Sequence, residues 1–393
     1  MFYVVDWLPP DFGAVGQYAS QHAAELARAG RRVCLIGLTS GAARRTHVAL
    51  GSGTLETVHL PAVSYDKSRV ADRVVWTLSV CARLLSEVVG RRDAYKAELL
   101  FTGAPPFFLY FAILAKLARR VRLTYRITDF YPEVLIAEFG DRHPMLSLLR
   151  RLTWLLRRRV DRFEALGADQ RRILIDGGID AGRIVVRRDA SPVAVTGTEP
   201  AAARPPELAN RKILLYSGNC GVAHEIDTVI AGLARHHRDG SGRFGLWLNA
   251  AGQNVDRFEA GLREARVPVA RRQPVPLNQL AGVLRAADAH LITLRPRFSG
   301  IVLPSKVYAC LATRLPIVFV GPTSSDVHTL CRESACPVYR HVNPGDRAAF
   351  AAALEQLADW SDMASAISGD RCDPVSRPAP SGGGVIGVDA IFE

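Results

Sequence analysis

The sequence predicts an α/β protein built from two doubly wound domains, each with a parallel sheet covered by helices. Short apolar runs alternate with helical patterns along most of the 393 residues, which is typical of parallel strands joined by helices. The alternation restarts after residues 196–210, a stretch rich in proline and small residues that has the composition of an interdomain linker. The length also suits two domains that each bury a core.

The first domain is expected over residues 1–195 and the second over 211–350. Each predicted strand is a short apolar run, and glycine, serine or proline follows the strands of the second domain. A helical segment over 351–370 and a poorly ordered tail over 371–393, rich in glycine and proline, complete the prediction. The predicted strands are 2–5, 33–36, 98–101 and 123–127, with a helix over about 16–29, and then 213–216, 245–249, 290–294 and 316–320.

The chain is basic, with 50 Lys and Arg residues against 38 Asp and Glu residues and a formal net charge of +12. Residues 1–200 hold 29 basic and 20 acidic residues, so +9 of this excess lies in the first half. Such a charge suits phosphate-bearing ligands, nucleic acid or an anionic membrane. The arginines form no known nucleic-acid module and are not interleaved with aromatic residues, so we expect no nucleic-acid partner.

The seven cysteines form no CxxC pair and are odd in number, which argues against a disulfide framework or a zinc ribbon and favours a reducing cytoplasm. The first residues lack the basic start of a signal peptide, and the longest apolar stretch, 105–118, is too short to span a bilayer. We therefore expect a cytoplasmic protein without a transmembrane helix. The sequence has no DxD triplet and no HxxxH or HExxH pair, so neither a metal ion nor a cofactor is expected.

Ligands of open parallel sheets bind beyond the carboxyl ends of the strands. The first loop of this kind contains Gly13 and Gly16 and opens a helix. It lacks the GxGxxG fingerprint, and the second strand does not end on an acidic residue, so NAD binding is not expected. A plain tight turn between strand and helix is the other explanation of the two glycines.

Four segments together resemble the retaining GT-B glycosyltransferases, specifically the family 4 type of bacterial polysaccharide assembly. They are GAVG at 13–16, TDFYPE at 128–133, YSGNCGVAH at 216–224 and SGIVLPSK at 299–306. The resemblance implies two Rossmann-like domains that face a cleft. It also implies that a sugar moves, with retention of configuration, from a nucleotide-sugar co-substrate bound mainly by the second domain to a saccharide or polyprenol-linked acceptor bound mainly by the first.

This chain departs from the family at two pairs of positions. Many members carry an Arg and a Lys where this sequence has Asn219 and His224, and a pair of glutamates where it has Phe298 and Lys306. A subgroup with GN-x-G and PSK motifs resembles this chain better. We therefore interpret it as a variant enzyme.

Sugar transfer needs positive charge near the departing diphosphate. Lys306, Arg295 and His224 are the candidate cations, beside a helix expected to begin near Pro304. A solvated lysine and a polar helix cap are the structural explanations of Lys306 and His224. The candidate substrate-binding residues are Gly13, Gly16, Ser217, Gly218, Asn219, Arg295, Ser299, Gly300, Pro304 and Ser305.

Asp129 and Glu133 follow a predicted strand of the first domain, where either could orient or deprotonate an acceptor hydroxyl. The helix dipole offers a structural explanation for Glu133, which makes Asp129 the preferred catalytic candidate beside Lys306 and His224. Arg188 and Asp189 lie where relatives place a cleft loop, and an interdomain hinge is the competing explanation. Glu133, Arg188 and Asp189 are therefore second-rank candidates.

Residues 144–160 form an amphipathic pattern whose default interpretation is a core helix with a solvated basic face. Trp154 among arginines also suits a lipid headgroup interface. We therefore expect possible contact with an anionic membrane surface through the arginines. The apolar face holds Met145, Leu148, Leu149, Leu152, Leu155, Leu156 and Val160, and the opposite face holds Arg150, Arg151, Arg157 and Arg158.

Two other functions remain open at this point. A non-catalytic GT-B partner protein that binds a nucleotide sugar would fit the missing glutamate pair. A sugar-nucleotide 2-epimerase on the same scaffold would need more acids and bases in the cleft than the sequence offers.

Overall fold

The computed structural model describes residues 1–11, 14–62, 70–91, 98–103, 105–140, 144–334 and 336–368. The predicted tail at 371–393 lies outside these residues, as does Gly13. In the described part of the chain no helix is long and apolar enough to cross a membrane. The same residues contain no group of three or more His, Cys, Asp or Glu side chains arranged to hold a metal ion.

The first half of the chain forms an eight-stranded sheet with helices on both faces. Its elements are β1 (Phe2–Trp7), α1 (Ala14–Arg28), β2 (Arg32–Thr39), β3 (Arg44–Leu50), β4 (Gly53–Pro61), α2 (Val70–Gly90), β5 (Glu98–Thr102), α3 (Phe108–Arg119), β6 (Arg122–Ile127), α4 (Glu133–Phe139), α5 (Pro144–Arg157), β7 (Arg162–Ala165), α6 (Ala168–Asp176) and β8 (Ile184–Val186). The strand order is β3-β4-β2-β1-β5-β6-β7-β8. Only the edge pair β3 and β4 is antiparallel among the described strand pairs of this sheet.

The second half forms a six-stranded parallel sheet in the order β11-β10-β9-β12-β13-β14. Its elements are β9 (Lys212–Asn219), α7 (Asp227–Asp239), β10 (Phe244–Ala251), α8 (Val255–Glu264), β11 (Val269–Arg272), α9 (Leu277–Arg285), β12 (Ala289–Thr293), α10 (Lys306–Ala312), β13 (Ile317–Val320), α11 (Asp326–Glu333), β14 (Tyr339–Val342) and α12 (Arg347–Ser368). Two parallel sheets in one chain confirm the predicted fold class.

Each sheet reverses its strand order at one point, between β1 and β5 in the first and between β9 and β12 in the second. Ligands of doubly wound sheets bind beside such switch points, because the connecting helices diverge there and leave a crevice. A shared apolar cluster joins the two domains near these crevices: it includes Tyr18 and Leu166 from the first domain and Phe298, Leu303 and Val307 from the second.

The predicted core face of residues 144–160 is confirmed only in part: Val160 is buried and Leu156 packs against the core, but four other members are exposed. Met145, Leu148, Leu152 and Leu155, expected in the core, are 70%, 56%, 45% and 55% exposed. Thr153 and Arg157 are the buried residues of the helix instead. The periodic pattern correctly predicts an amphipathic helix. It does not reveal that Thr153 and Arg157 find hydrogen-bond partners on other elements, which allows these polar side chains to be buried.

Arg157 is fully buried and therefore unable to reach a membrane surface. Its guanidinium donates to Glu133 at 2.6 and 2.9 Å and to the Tyr131 carbonyl at 2.8 Å. It also stacks on the rings of Phe130 and Trp154, with 5.1 and 4.6 Å from Cζ to the ring centroids. Trp154 packs inward against the core, so neither residue has the surface role that the sequence suggested.

Candidate active site

The carboxyl ends of the two sheets face each other and are joined by backbone hydrogen bonds. Asp129 forms an antiparallel bridge with Val302, and the Phe130 N–H donates to the Ile301 carbonyl at 3.0 Å. The loop after β6 in the first domain therefore touches the loop before α10 in the second. Because Lys306 begins α10, the two strongest catalytic candidates of the sequence lie on neighbouring segments across the cleft.

Lys306 begins α10 in the second domain, and its side chain packs beside Tyr216 of β9. Its Nζ is buried and has no hydrogen-bond partner among the described residues. The ammonium stands 3.2 Å from the centroid of the Tyr216 ring, and the aromatic face stabilises a cation there. Burial lowers the lysine pKa from 10.5 to about 7, against a smaller opposite effect of the thiols of Cys220 and Cys310.

An unpaired buried ammonium is unfavourable unless an anion joins it. The loop before Lys306 lies close to the first domain, because Gly300 has a left-handed φ of 72° and packs against Asp169 and Ile173 of that domain. The Tyr18 hydroxyl donates to the Ser305 carbonyl at 3.3 Å and holds the same loop. The helix begins at Lys306, two residues after the expected start at Pro304, which is buried before the first turn.

Gly218 at the end of β9 lies beside the Lys306 side chain. Its φ is 116°, and a Cβ at this position would lie 3.8 Å from Lys306 Cε. Ser217 accepts a hydrogen bond from Asn249 Nδ2 at 3.0 Å, and Asn219 is exposed. Of the three predicted residues at this strand end, Gly218 is the one that lies next to Lys306.

His224 does not supply the positive charge that the sequence suggested. The ring is buried and donates from Nδ1 to the Thr293 carbonyl at 2.9 Å. Burial, aided by the charge of Lys306, lowers the histidine pKa to about 3, so the imidazole is neutral at physiological pH. It contacts the Tyr216 ring edge-on with 5.6 Å between centroids and forms part of the wall behind the lysine.

Arg295 lies at the end of β12, half-buried, with Nε 4.0 Å from Glu225 Oε2. Its backbone N–H donates to the Ala223 carbonyl at 2.8 Å, which ties the loop after β12 to the loop after β9. The Ser299 hydroxyl lies 3.2 Å from the Ser324 hydroxyl. The structure thus collects the candidates of the second domain around one crevice.

Asp129 stands on the opposite wall, where burial raises its carboxyl pKa from 3.8 to about 6. A second carboxyl group, Asp6, lies near it at the end of β1. Burial and the charge of Asp129 raise the Asp6 pKa to about 7. Asp6 is not among the residues that the sequence indicated; an acidic residue near the end of an otherwise apolar first strand is the signal that could have identified it.

Two candidates of the first domain have structural roles. Gly16 is buried where α1 crosses β1, and a Cβ there would lie 1.8 Å from the Trp7 carbonyl oxygen. Glu133 lies in the first turn of α4, where the helix-dipole explanation expected a structural role, and its carboxylate is paired with Arg157. Gly16 therefore permits close packing, and neither residue points to an acceptor.

Arg188 and Asp189 belong to ion pairs at the domain junction. Arg188 donates to both oxygens of Asp326 in the second domain, each at 3.2 Å. Asp189 pairs with the buried Arg126 of β6. These ion pairs agree with a structural role for Arg188 and Asp189 between the domains. The catalytic candidates that remain are Lys306 and Asp129.

No protein-family model matches the chain. Among solved structures, the sucrose-phosphate synthase of Thermosynechococcus elongatus superposes with a TM-score of 0.66 at 13% identity, covering 92% of this chain and 91% of that one. An E. coli structure described as trehalose-6-phosphate bound with UDP-2-fluoro glucose has a TM-score of 0.61 at 15% identity, covering 94% and 96%. Both domains superpose together in these alignments. The chain has the GT-B fold.

Two further proteins named as glycosyltransferases are similar to this chain. The lipopolysaccharide outer core galactosyltransferase WaaB has a TM-score of 0.50 at 12% identity over 92% of both chains. A curated relative, the probable glycosyltransferase WbjE of Pseudomonas aeruginosa, is 21% identical over 277 residues, which are 68% of this chain and 67% of the relative. The GT-B resemblance inferred from the four sequence segments is thereby confirmed, and the named relatives are glycosyltransferases.

Proposed function

We propose that this protein is a glycosyltransferase that moves a sugar from a nucleotide-sugar donor held at Lys306 to a hydroxyl group held at Asp129. The observation that carries the proposal is the buried ammonium of Lys306, unpartnered among the described residues, at the end of a segment whose backbone pairs with that of the buried Asp129. A diphosphate supplies the anion that the lysine lacks. The glycosyltransferase relatives and the GT-B fold support the same assignment.

In this reaction the acceptor oxygen bonds to the anomeric carbon of the donor sugar. The bond from that carbon to the phosphate oxygen breaks, and its electron pair leaves with the nucleoside diphosphate, whose charge Lys306 offsets. The proton of the acceptor hydroxyl passes to Asp129, which a pKa of about 6 leaves largely ionised at neutral pH. We further propose retention of configuration, as the resemblance implies, and a role in polysaccharide assembly.

The proposed transfer requires no metal ion, because the positive charge at the diphosphate is a side chain of the protein. The donor assay should therefore proceed in the presence of excess EDTA. Loss of transfer with EDTA, restored by Mg²⁺ or Mn²⁺, would contradict this part of the proposal.

Thermal unfolding against UDP, GDP, dTDP and CMP sugars tests the donor site, since a ligand that binds only the folded state raises the midpoint. One nucleotide class should raise the midpoint of the wild type, and Lys306→Gln should lose that shift. Arg238→Gln, which removes an exposed positive charge from α7, should keep it. No shift with any nucleotide sugar, in folded wild-type protein, would contradict the proposal.

Product analysis separates this function from the two alternatives. Transfer to added saccharides or lipid-linked saccharides, or slow hydrolysis of the donor, supports the enzyme. Donor binding without turnover supports the non-catalytic partner. Interconversion of two sugar nucleotides without release of the nucleoside diphosphate supports the 2-epimerase.

We also propose that α5 docks on an anionic membrane surface, where a polyprenol-linked acceptor would be found, on the cytoplasmic face. Met145, Leu148, Leu152 and Leu155 form an exposed stripe at helical spacing. Arginines that flank this stripe are exposed, and they are Arg150, Arg151, Arg158 and Arg159. An exposed apolar stripe bordered by arginines complements anionic headgroups above acyl chains, and this charge favours lipid over a second basic copy of the chain.

Co-sedimentation with vesicles of phosphatidylcholine, with and without phosphatidylglycerol, tests this surface. The wild type should bind only the anionic vesicles, and Leu148→Ser combined with Leu152→Ser should abolish binding. Val48→Ser, which removes an exposed apolar side chain from the edge strand β3, should bind like the wild type. Absence of vesicle binding, or a dimer that the leucine substitutions dissolve, would contradict membrane docking.

A further inference from the structure

Asp6 occupies an irregular position at the carboxyl end of β1. The register of β1 against β2 shifts between Val4 and Trp7, so Asp6 lies inside the irregularity. Such irregularities often redirect a side chain next to an active site. Since β1 borders the switch point of the first sheet, Asp6 stands at the place where a doubly wound domain binds its ligand.

One oxygen of the Asp6 carboxyl group has no partner in the described part of the chain. This oxygen, Oδ1, is buried, and the Thr128 hydroxyl beside Asp129 is likewise buried without a hydrogen-bond partner among the described residues. Buried polar atoms are normally hydrogen-bonded, and an unpaired one is unfavourable. Two such atoms at the same edge of the sheet, on β1 and after β6, indicate a polar ligand that completes them.

The strand between the two acids ends on a glycine. Gly103 follows β5, which lies between β1 and β6 in the sheet. A Cβ at Gly103 would lie 3.0 Å from the Thr128 hydroxyl and 3.1 Å from the Asp129 carbonyl oxygen. A larger residue would press on this loop, so no side chain separates the edge of β1 from the edge of β6.

We propose that Asp6 belongs to the acceptor site, where Asp6 and Asp129 bind two neighbouring hydroxyl groups of a pyranoside. This inference rests on the proposed glycosyltransferase function. A pair of carboxyl groups that holds one proton suits vicinal hydroxyls, because the carboxylate accepts a hydrogen bond from one hydroxyl and the protonated group donates to the other. Asp6 is thereby a positioning residue, and Asp129 remains the group that receives the proton.

The two acids divide these roles through their charges. Burial raises the pKa of both carboxyl groups, and the negative charge of Asp129 raises the pKa of Asp6 further. A hydrogen bond from the Trp7 backbone partly offsets this rise in the Asp6 pKa. Like charges in one site do not ionise together readily, so the pair keeps one proton near neutral pH. Pyranoside binding should therefore weaken as the pH rises through about 7, where the last proton leaves.

Ligand-detected NMR with methyl and octyl pyranosides of glucose, galactose, mannose and N-acetylglucosamine, in the presence of the nucleoside diphosphate, measures this site. Asp6→Asn should weaken binding about tenfold, the usual effect of losing a charged hydrogen bond, and should remove the pH step near 7. Asp129→Asn should weaken binding likewise. Asp176→Asn, an exposed carboxylate at the end of α6, should bind like the wild type.

The nucleotide-induced thermal shift, measured on the same samples, distinguishes the possible failures. Asp6→Asn should keep the wild-type shift, because Asp6 does not touch the donor pocket. If the wild type shows the shift but binds none of the pyranosides, or if Asp6→Asn binds them with wild-type affinity and pH dependence, the assignment of Asp6 is overturned. If the wild type shows no nucleotide shift, the proposed glycosyltransferase function is what fails.

Discussion

Asp169 and Asp326 each cap a helix of the opposite domain. Asp326 Oδ1 accepts a hydrogen bond from the Ala168 N–H that begins α6, at 3.2 Å, and Asp169 Oδ2 accepts from the Asp326 N–H that begins α11, at 2.9 Å. Carboxylates at helix N-termini are stabilised by the free N–H groups and the helix dipole. Two helices from different domains therefore meet head to head and exchange their capping groups.

The exchanged caps predict a strong effect of Asp326→Ala on the domain interface. The side chain is 2% exposed, and its loss leaves the α6 N-terminus and Arg188 without their acceptor, which should cost about 2 kcal/mol of unfolding free energy. Chemical denaturation measures the loss. Glu333→Gln, which alters a looser and more exposed contact of the same arginine at 3.9 Å, should change stability by less than about 0.5 kcal/mol; equal losses would refute a special role for Asp326.

Donor binding should be accompanied by proton uptake at Lys306. The empty site has a lysine pKa of about 7, and a bound diphosphate raises it, so the complex takes up as much as one proton at pH 8. Titration calorimetry in HEPES and in Tris, which differ in ionisation enthalpy, should give different binding heats. Lys306→Gln should remove the difference; identical heats for the wild type in both buffers would contradict the buried-lysine account.

The same lysine affects the stability of the unliganded protein. Between pH 7 and 10.5 the unfolded chain binds a proton that the folded chain does not, so the contribution of Lys306 makes the folded state more stable as the pH rises through this range. Thermal midpoints of the wild type, compared with those of Lys306→Met, should converge towards high pH. A constant difference across the range would show that Lys306 keeps its ordinary pKa in the folded state.

Arg157 should be far more sensitive to substitution than its exposed neighbours. Arg157→Met leaves Glu133 and the Tyr131 carbonyl without their donor, at a cost of about 3–5 kcal/mol. Adding Glu133→Gln should recover part of this loss, because no carboxylate then remains unpaired. Arg151→Met, at an exposed position of the same helix, should stay within about 0.5 kcal/mol of the wild type. Equal stability of both arginine variants would exclude the buried ion pair.

Gly16→Ala should destabilise the fold by at least about 2 kcal/mol, because the added methyl group overlaps the Trp7 carbonyl. Gly90→Ala provides the comparison, since a Cβ at that end of α2 meets no described atom within 4 Å. Gly90→Ala should therefore raise the unfolding free energy by up to about 1 kcal/mol, because alanine favours the helix over glycine. A folded Gly16→Ala protein of normal stability that fails to bind nucleotide would restore the ligand-contact interpretation of this glycine.

The central strands of both sheets could be predicted from the sequence because parallel strands buried on both faces are continuous apolar runs. The edge strand β3 could not, since nearly all of its residues are exposed and carry no core pattern. Helix α5 shows a different limit. Its periodicity predicts two faces, but the choice of the buried face depends on Glu133 and Tyr110, which lie on other elements.

For the candidate site too, the sequence predicts some features and not others. The motif around Lys306 predicted a cation beside the GN loop, and the structure brings those residues together. Burial of the ammonium and the neutrality of His224 depend on packing against Tyr216 and Thr293, which no spacing rule contains. Asp6 is remote from Asp129 in sequence, and only the strand order β1-β5-β6 makes them neighbours.

The backbone bridge between Asp129 and Val302 couples the position of the proposed base to the arrangement of the two sheets. The backbone that carries the Asp129 carboxyl is the same backbone that pairs with the segment leading to Lys306. Any motion that separates the two sheets must break this pairing and move the acid away from the segment that leads to the lysine. A sugar donor bound to an opened molecule would therefore face no aligned base, and water entering the gap would meet an incomplete reaction centre.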